Sequence, residues 1–558
     1  MMHRYALIRR LALGVLGLVM GGVGALAQAQ DQPPLVDAAW LNRALAGQSP
    51  PVVLDASPRK LHDMGHIPGA VSADFYSYGS REVDAKAMQA RMRSWGLNEG
   101  HQLIVIHDQG GAMLATWQFY ELYRHGVPLQ RLRLLDGGLA AWKASGGKLT
   151  GEATPAPQPG NLVVRAPQQD PRAYLPEFLQ ASGDPSGHAL LEALDPPFYY
   201  GGAKFFSRGG HVPHALLTPA DDFFRPDKTF KSPAELEGLL AHLGVRREQQ
   251  LISYCGGGVA ASVPFFAAKF LLGYPQVKLY QGSQREWLQD PRDLPLWAYA
   301  APAMLRSAEW LNGFSNTMLR TYSHSPISVV DVRPTQAYAQ GHVPFALSLP
   351  AEQWRNHLAQ PQGLRPVLGA AGVNPEDEAV VVSEGGINPQ AALAVALLEH
   401  LGQRKVSVLM DSLDDWGLKG LPVVKEPTRL GVKQSVLDPT IEPVAYSAQP
   451  RPVLLANALA AQAEPRAAGL PLVFLWVGAQ APAPLALPGT SVHLPYGQLL
   501  QANGQPKPAH ELWSALSKAG LPRHARIISV GGEPSEAAVA YVVLRLMGFS
   551  DLRLALQP

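Results

Sequence analysis

One thiol stands in a chain of 558 residues, and its neighbours decide what it can do. Cys255 sits in the run Tyr254-Cys255-Gly256-Gly257-Gly258-Val259-Ala260-Ala261. A sole cysteine forms no disulfide within its own chain and builds no multi-cysteine metal site. It is left with burial or chemistry. Free cysteine often packs as a small hydrophobe, but a thiol that is merely packed needs no glycine cradle. Three successive glycines let the backbone turn tightly and aim the N–H groups of residues 256–261 at one anion. The helix-like run from Ser262 to Leu272 follows, and its N-terminus adds partial positive charge. Both effects favour the thiolate, the nucleophilic form. A cysteine loop that cleaves phosphate esters wants an arginine to grip the oxygens bidentately. Positions 256 to 262 read Gly, Gly, Gly, Val, Ala, Ala, Ser, so that chemistry is set aside.

Other reactive side chains carry weaker signals. Arg208, just before Gly209-Gly210-His211, is a candidate grip for an anionic donor. His211 belongs to a repeated Gly-His-x-Pro segment, so a hydrogen bond that fixes the turn suits it better than a general base does. The same holds for His66 and His342. No metal site and no cofactor are expected.

The elements that must hold Cys255 come as a repeat. Gly65-His66-Ile67-Pro68-Gly69-Ala70 recurs as Gly210-His211-Val212-Pro213-His214-Ala215 and as Gly341-His342-Val343-Pro344-Phe345-Ala346. Leu487-Pro488-Gly489-Thr490-Ser491-Val492 is a worn copy. A strand-like run precedes each, as in Val52–Asp55 and Val329–Val332. A second strand lies some way on, at 103–107, 251–254, 379–382 and 527–530. Aligning the ends of these strands puts Asp108, Cys255, Ser383 and Gly531 at one place. A helical run and a third strand follow, and Trp142, Trp287 and Trp416 then read as core anchors. Strands alternating with helices predict a parallel sheet with helices on both faces. Units of roughly 120–130 residues are large enough for their own cores. The expected domains are 33–150, 168–299, 301–425 and 446–558, with Pro-rich linkers between them.

Composition bounds the rest. Hydrophobic content of 47% with 16% charged residues describes an ordinary globular chain, and a net charge of +2 gives no electrostatic case for nucleic acid. Arg4, Arg9 and Arg10 precede the apolar stretch Leu11 to Leu26, and small-x-small sites close it at Ala25–Ala27 and Ala27–Ala29. Residues 1–29 are therefore expected to be a signal peptide, the mature protein periplasmic and without a membrane span.

The strand ending in Asp, the Gly-His-Ile-Pro-Gly-Ala segment and the distant strand–Cys–Gly loop together resemble the rhodanese (sulfurtransferase) family. The likeness covers four units, strongest in the first two. It implies an α/β fold of four tandem domains, with the first, third and fourth inactive. It implies that the first domain packs on the second. It also implies a two-step transfer: Cys255 takes the outer sulfur of a small anion such as thiosulfate or 3-mercaptopyruvate. The persulfide, stabilised by Gly256, Gly257, Gly258, Val259, Ala260 and Ala261, then yields it to cyanide, a thiol or a protein acceptor. The other reading is a persulfide carrier or sulfur-binding module without turnover. Family members carry an arginine two residues after the strand acid, and here the matching pair is Glu192 and Leu194.

Overall fold

Runs that are apolar at nearly every position have no face to show to water, so they suit strands covered on both sides. Val52–Asp55, His188–Glu192, Ile327–Asp331 and Leu472–Trp476 are such strands, buried along almost their whole length. The computed structural model describes residues 34–79, 82–111, 113–314, 326–435, 438–465, 469–480 and 489–557. The expected signal segment, 1–29, and Leu487-Pro488 of the worn repeat lie outside them. Among the described residues no helix is long and apolar enough to cross a membrane.

The described strands form four parallel five-stranded sheets. Numbered within each domain, the strands lie in the order 1-5-4-2-3 in all four. The fourth strand is thus the middle one in every sheet. These middle strands are Ile104–His107, Gln250–Tyr254, Glu378–Val382 and Arg526–Val530. Each delivers its following loop to the carboxyl edge of the sheet, where open α/β sheets place their sites.

The helices after these strands are Met113–Arg124, Pro389–His400 and Pro534–Leu546, all heavily buried. The expected helix Ser262–Leu272 is instead an α segment, Ser262–Phe266, that widens into one π turn, Ala267–Leu271. Within its unit this segment packs on Met113–Arg124. Thr116 Oγ1 and Ser262 Oγ are 2.8 Å apart, and Phe119 meets Phe266 edge-to-face at 5.0 Å. In the other unit, Pro389–His400 and Pro534–Leu546 pack together around Tyr541, whose hydroxyl donates to Glu399 at 2.5 Å.

The repeated histidines are turn fasteners. His66, His211 and His342 bond through Nδ1 to the carbonyls of His62, Tyr199 and Tyr338 at 2.9, 2.9 and 3.0 Å. Each ring also stacks on that same residue. The three tryptophans are buried, and their indole N–H groups bond to the carbonyls of Lys148, Pro295 and Pro422 at 2.9–3.0 Å.

By density of contacts the chain forms two units. Among the described residues, one holds those up to Ala173 with Ala220–Lys231 and Gly258–Gln281; the other holds Tyr174–Pro219, Ser232–Gly257 and those from Gly282 onward.

Candidate active site

Cys255 follows directly on Gln250–Tyr254 and is 3% exposed. Its backbone N–H donates to Ser283 Oγ at 3.1 Å. Its carbonyl accepts from Gln284 N, and the Gly256 carbonyl from Arg285 N, both at 3.0 Å. The first turn of the helix Ser283–Gln289 therefore clamps the first two loop residues.

Ser283 holds its place under strain. Its φ is +52°, in the left-handed region that favours glycine. The first domain has Gly138 at the corresponding place, with φ +53°. An added Cβ there would lie 2.5 Å from the Asp108 carbonyl oxygen. The second domain accepts a left-handed serine, and the hydroxyl it gains fastens the N–H of the cysteine.

Further along the loop, Gly258 has φ +102°, and an added Cβ would meet the Gln281 carbonyl oxygen at 3.1 Å and Trp117 Cζ3 at 3.3 Å. Trp117, fully buried on Met113–Arg124, is the wall against which this part of the loop turns. Gly256 faces Phe205, an exposed ring stacked on Phe198 at 4.3 Å.

Behind Cys255 lies a buried polar network. The Tyr254 hydroxyl donates to Glu192. Gln284 Nε2 donates to Glu192 Oε1 and to the Gly210 carbonyl, each at 2.8 Å. Burial pushes Glu192 up to about 8 in spite of hydrogen bonds from Tyr254 and Gln284. At neutral pH this carboxyl is largely protonated. The third domain solves the same problem with charge. Arg333 pairs with Asp331 at 2.6 Å and donates to the Gly341 carbonyl at 2.9 Å. Gln284 thus does for Glu192 and Gly210 what an arginine does for Asp331 and Gly341. Leu194, at the position of Arg333, is buried and apolar.

The other three loops show what this position tolerates. The Asp108 carboxylate accepts from the N–H groups of Gly110, Leu114 and Ala115 at 2.9, 3.1 and 3.2 Å. Ser383 Oγ accepts from Asn388 Nδ2 at 2.9 Å. In the fourth domain only Gly531–Glu533 separate the strand Arg526–Val530 from the helix beginning at Pro534, too few residues to form a cradle.

Arg208 lies at the surface with partners of its own. It is paired with Asp293 at 2.9 Å and donates to the Leu294 carbonyl at 2.8 Å. Ser283 and Gln284 are the residues that sequence reasoning missed. Aligning Gly282-Ser283 with Gly137-Gly138 was the available signal.

A family model described as a rhodanese-like domain matches residues 37–145, 176–290 and 316–419, more than half of the chain. The chain belongs to the rhodanese-like family. The fourth domain lies outside the matched segments and repeats the strand order of the other three. A probable 3-mercaptopyruvate sulfurtransferase of Pseudomonas aeruginosa is 35% identical over 253 residues, 42% of this chain and 84% of that protein. The sulfur carrier protein TtuD of Thermus thermophilus is 30% identical over 274 residues, 45% of this chain and 93% of that one. Among solved structures, SseA of Escherichia coli, described as a 3-mercaptopyruvate sulfotransferase, aligns with a TM-score of 0.41 at 24% identity. That alignment covers 45% of this chain and 99% of that one. The rhodanese-like chain is thus kin to sulfurtransferase enzymes, and four sheets of one topology carry its single thiol.

Proposed function

We propose that the second domain moves a sulfane sulfur from a small anionic donor, such as thiosulfate or 3-mercaptopyruvate, to a nucleophilic acceptor through a persulfide on Cys255. In the first step the thiolate Sγ bonds to the donor's terminal sulfur. With thiosulfate the S–S bond breaks and its electron pair leaves with sulfite. With 3-mercaptopyruvate the C–S bond breaks, and the pair left on carbon takes up a proton to give pyruvate. In the second step cyanide or a thiol attacks the outer sulfur, and the thiolate returns. No external oxidant or reductant enters either step.

The observation that carries this reading is Asp108. At the loop position equivalent to Cys255, its carboxylate is met by three backbone N–H groups. A loop of this build in the second domain, from Gly256 through Ala261, suits a persulfide anion in the same way. The burial of Cys255 suits a small donor.

A second reading, a persulfide carrier without turnover, draws support from the relative named as a sulfur carrier and from the uncharged Glu192–Gln284 pair. One experiment separates the two. The purified chain is incubated with thiosulfate or 3-mercaptopyruvate, the Cys255 peptide is weighed, and cyanide or a dithiol is added. Gain of one sulfur with repeated discharge supports the enzyme, and a stable persulfide supports the carrier. No mass gain, with Cys255→Ala indistinguishable from the parent, overturns both. The reading includes export through residues 1–29. A mature N-terminus beyond Ala27 in the periplasmic fraction supports it, and an intact cytoplasmic chain refutes it.

A further inference from the structure

Beside Cys255 stands an aromatic surface that the transfer steps leave unused. Phe205 is 58% exposed. Its ring nevertheless covers Gly256, the residue after the thiol: a Cβ added to that buried glycine would lie 3.2 Å from Phe205 Cδ2. Phe198 backs the ring, with planes 3° apart and centroids separated by 4.3 Å. The segment that carries Phe205 closes on the same residue. The N–H groups of Gly201 and Gly210 both donate to the Phe198 carbonyl, at 3.1 and 3.2 Å. The Ala203 N–H donates to the Pro197 carbonyl at 2.8 Å, and Arg208 anchors the other end through Asp293 and the Leu294 carbonyl. All of these residues lie in the unit that holds Cys255.

A scattered exposed hydrophobe needs no explanation. This one is stacked, its segment is tied at both ends, and it borders the nucleophile. Positions 256–261 bring no charged side chain to the same place. The face of a phenyl ring is electron-rich, so it offers nothing to an anionic donor and suits an apolar or aromatic body. We propose that Phe205, backed by Phe198, selects the sulfur acceptor: a thiol whose sulfur reaches the persulfide while its apolar or aromatic body lies on the Phe205 ring. The proposal rests on the persulfide reading of Cys255. The acceptor's thiolate sulfur bonds to the outer sulfur. The Sγ–S bond breaks, its electron pair returns to Sγ, and the acceptor leaves as a persulfide, with no oxidant or reductant consumed. Phe205 grips the body of the acceptor and not the reacting atoms, so its effect falls on KM.

The test compares two thiols of similar basicity, phenylmethanethiol and 2-mercaptoethanol, as acceptors for the full chain supplied with thiosulfate. The kcat/KM of the parent should favour phenylmethanethiol. Phe205→Ala should lower the ratio of the two kcat/KM values about tenfold, through the KM of phenylmethanethiol. Phe205→Tyr keeps the ring and should restore most of the ratio. No preference in the parent, a ratio unmoved by Phe205→Ala, or a change carried by kcat alone overturns the proposal. If cyanide still discharges Cys255 in that case, the transfer reading stands without it. Binding gives a readout that needs no turnover. Cys255→Ala should bind phenylmethanethiol in calorimetric titration, and adding Phe205→Ala should weaken that binding about tenfold. Equal binding by the two chains overturns the proposal whether or not sulfur moves.

Discussion

At the scale of single residues, the site is set by two side chains that do no chemistry themselves. Ser283 sits in a left-handed conformation that costs an L-residue about 1–2 kcal/mol, and its hydroxyl fastens the Cys255 N–H. The two effects can be separated. Ser283→Ala keeps the strain and loses the bond, and should destabilise by about 1–3 kcal/mol. Ser283→Gly loses the bond but relaxes the backbone, and should be roughly 1 kcal/mol more stable than the alanine variant. Both should lower kcat for sulfur transfer to cyanide. Equal stability of the two variants in urea titrations would show that the left-handed serine stores no strain. Glu192 gives a pH signature. Its burial lifts it to about 8 from an ordinary value of 4.5, so the folded chain keeps a proton that the unfolded chain releases. Stability from this group is therefore full below the unfolded value and is lost as pH rises toward the folded one. The slope is on the order of 1 kcal/mol per pH unit between those limits. Glu192→Gln stays neutral throughout, and its urea midpoint should fall less steeply than the parent's from about pH 5 to pH 8. A parent-like slope in the variant would move the titration to another group.

At the scale of elements, the loop is governed by its third residue after the strand-end position. Gly111, Gly258 and Gly386 stand there in the first three domains, with φ of +99°, +102° and +63°. Gly258→Ala must take up that conformation against the Gln281 carbonyl and Trp117, and should cost about 1–3 kcal/mol together with most of the turnover. Gly256→Ala meets only the exposed Phe205 ring, which can swing aside, so it should stay near the parent in thermal melts and in the cyanide assay. Near-parent activity of Gly258→Ala would show that the cradle does not depend on this turn. The glycine run made this loop readable from sequence alone, and the Gly-His-x-Pro spacing did the same for the turn fasteners. Strand positions were readable because burial on both faces leaves continuous apolar runs, as in Val52–Asp55. The clamp was not readable, because Ser283 and Gln284 come from a distant segment and meet Cys255 only once the chain has folded. The pairing of Arg208 with Asp293 was hidden for the same reason, since Asp293 lies far downstream. The π turn at Ala267–Leu271 left no mark, since its composition suits an ordinary helix.

At the scale of the molecule, the question is what three domains without a thiol contribute to the one that has it. The Pseudomonas and Thermus relatives each match less than half of this chain. The third and fourth domains share one hydrophobic core, and it reaches the second domain through Tyr199 and Tyr200. Tyr200 is 3% exposed, its hydroxyl donates to the Met547 carbonyl at 2.9 Å, and its ring stacks on Trp513. The Ala301 N–H likewise donates to the Leu546 carbonyl. A chain ending at Ala300 loses all of these partners and turns the Tyr200 ring, beside the fastener Tyr199, toward water. Burying a tyrosine removes on the order of 150–250 Å² from solvent, so the shortened chain should melt several degrees lower and bind a hydrophobic dye. It should still gain one sulfur on Cys255, since the clamp of Ser283, Gln284 and Arg285 lies wholly before the cut. The kinetic consequence sits between these. Tyr199 fastens His211, whose turn follows the Gly210 carbonyl held by Gln284, so loosening Tyr200 should reach the loop through that network and lower kcat more than it raises KM. A shortened chain that melts and turns over like the full one would instead assign the last two domains to binding alone, with no part in holding the catalytic domain.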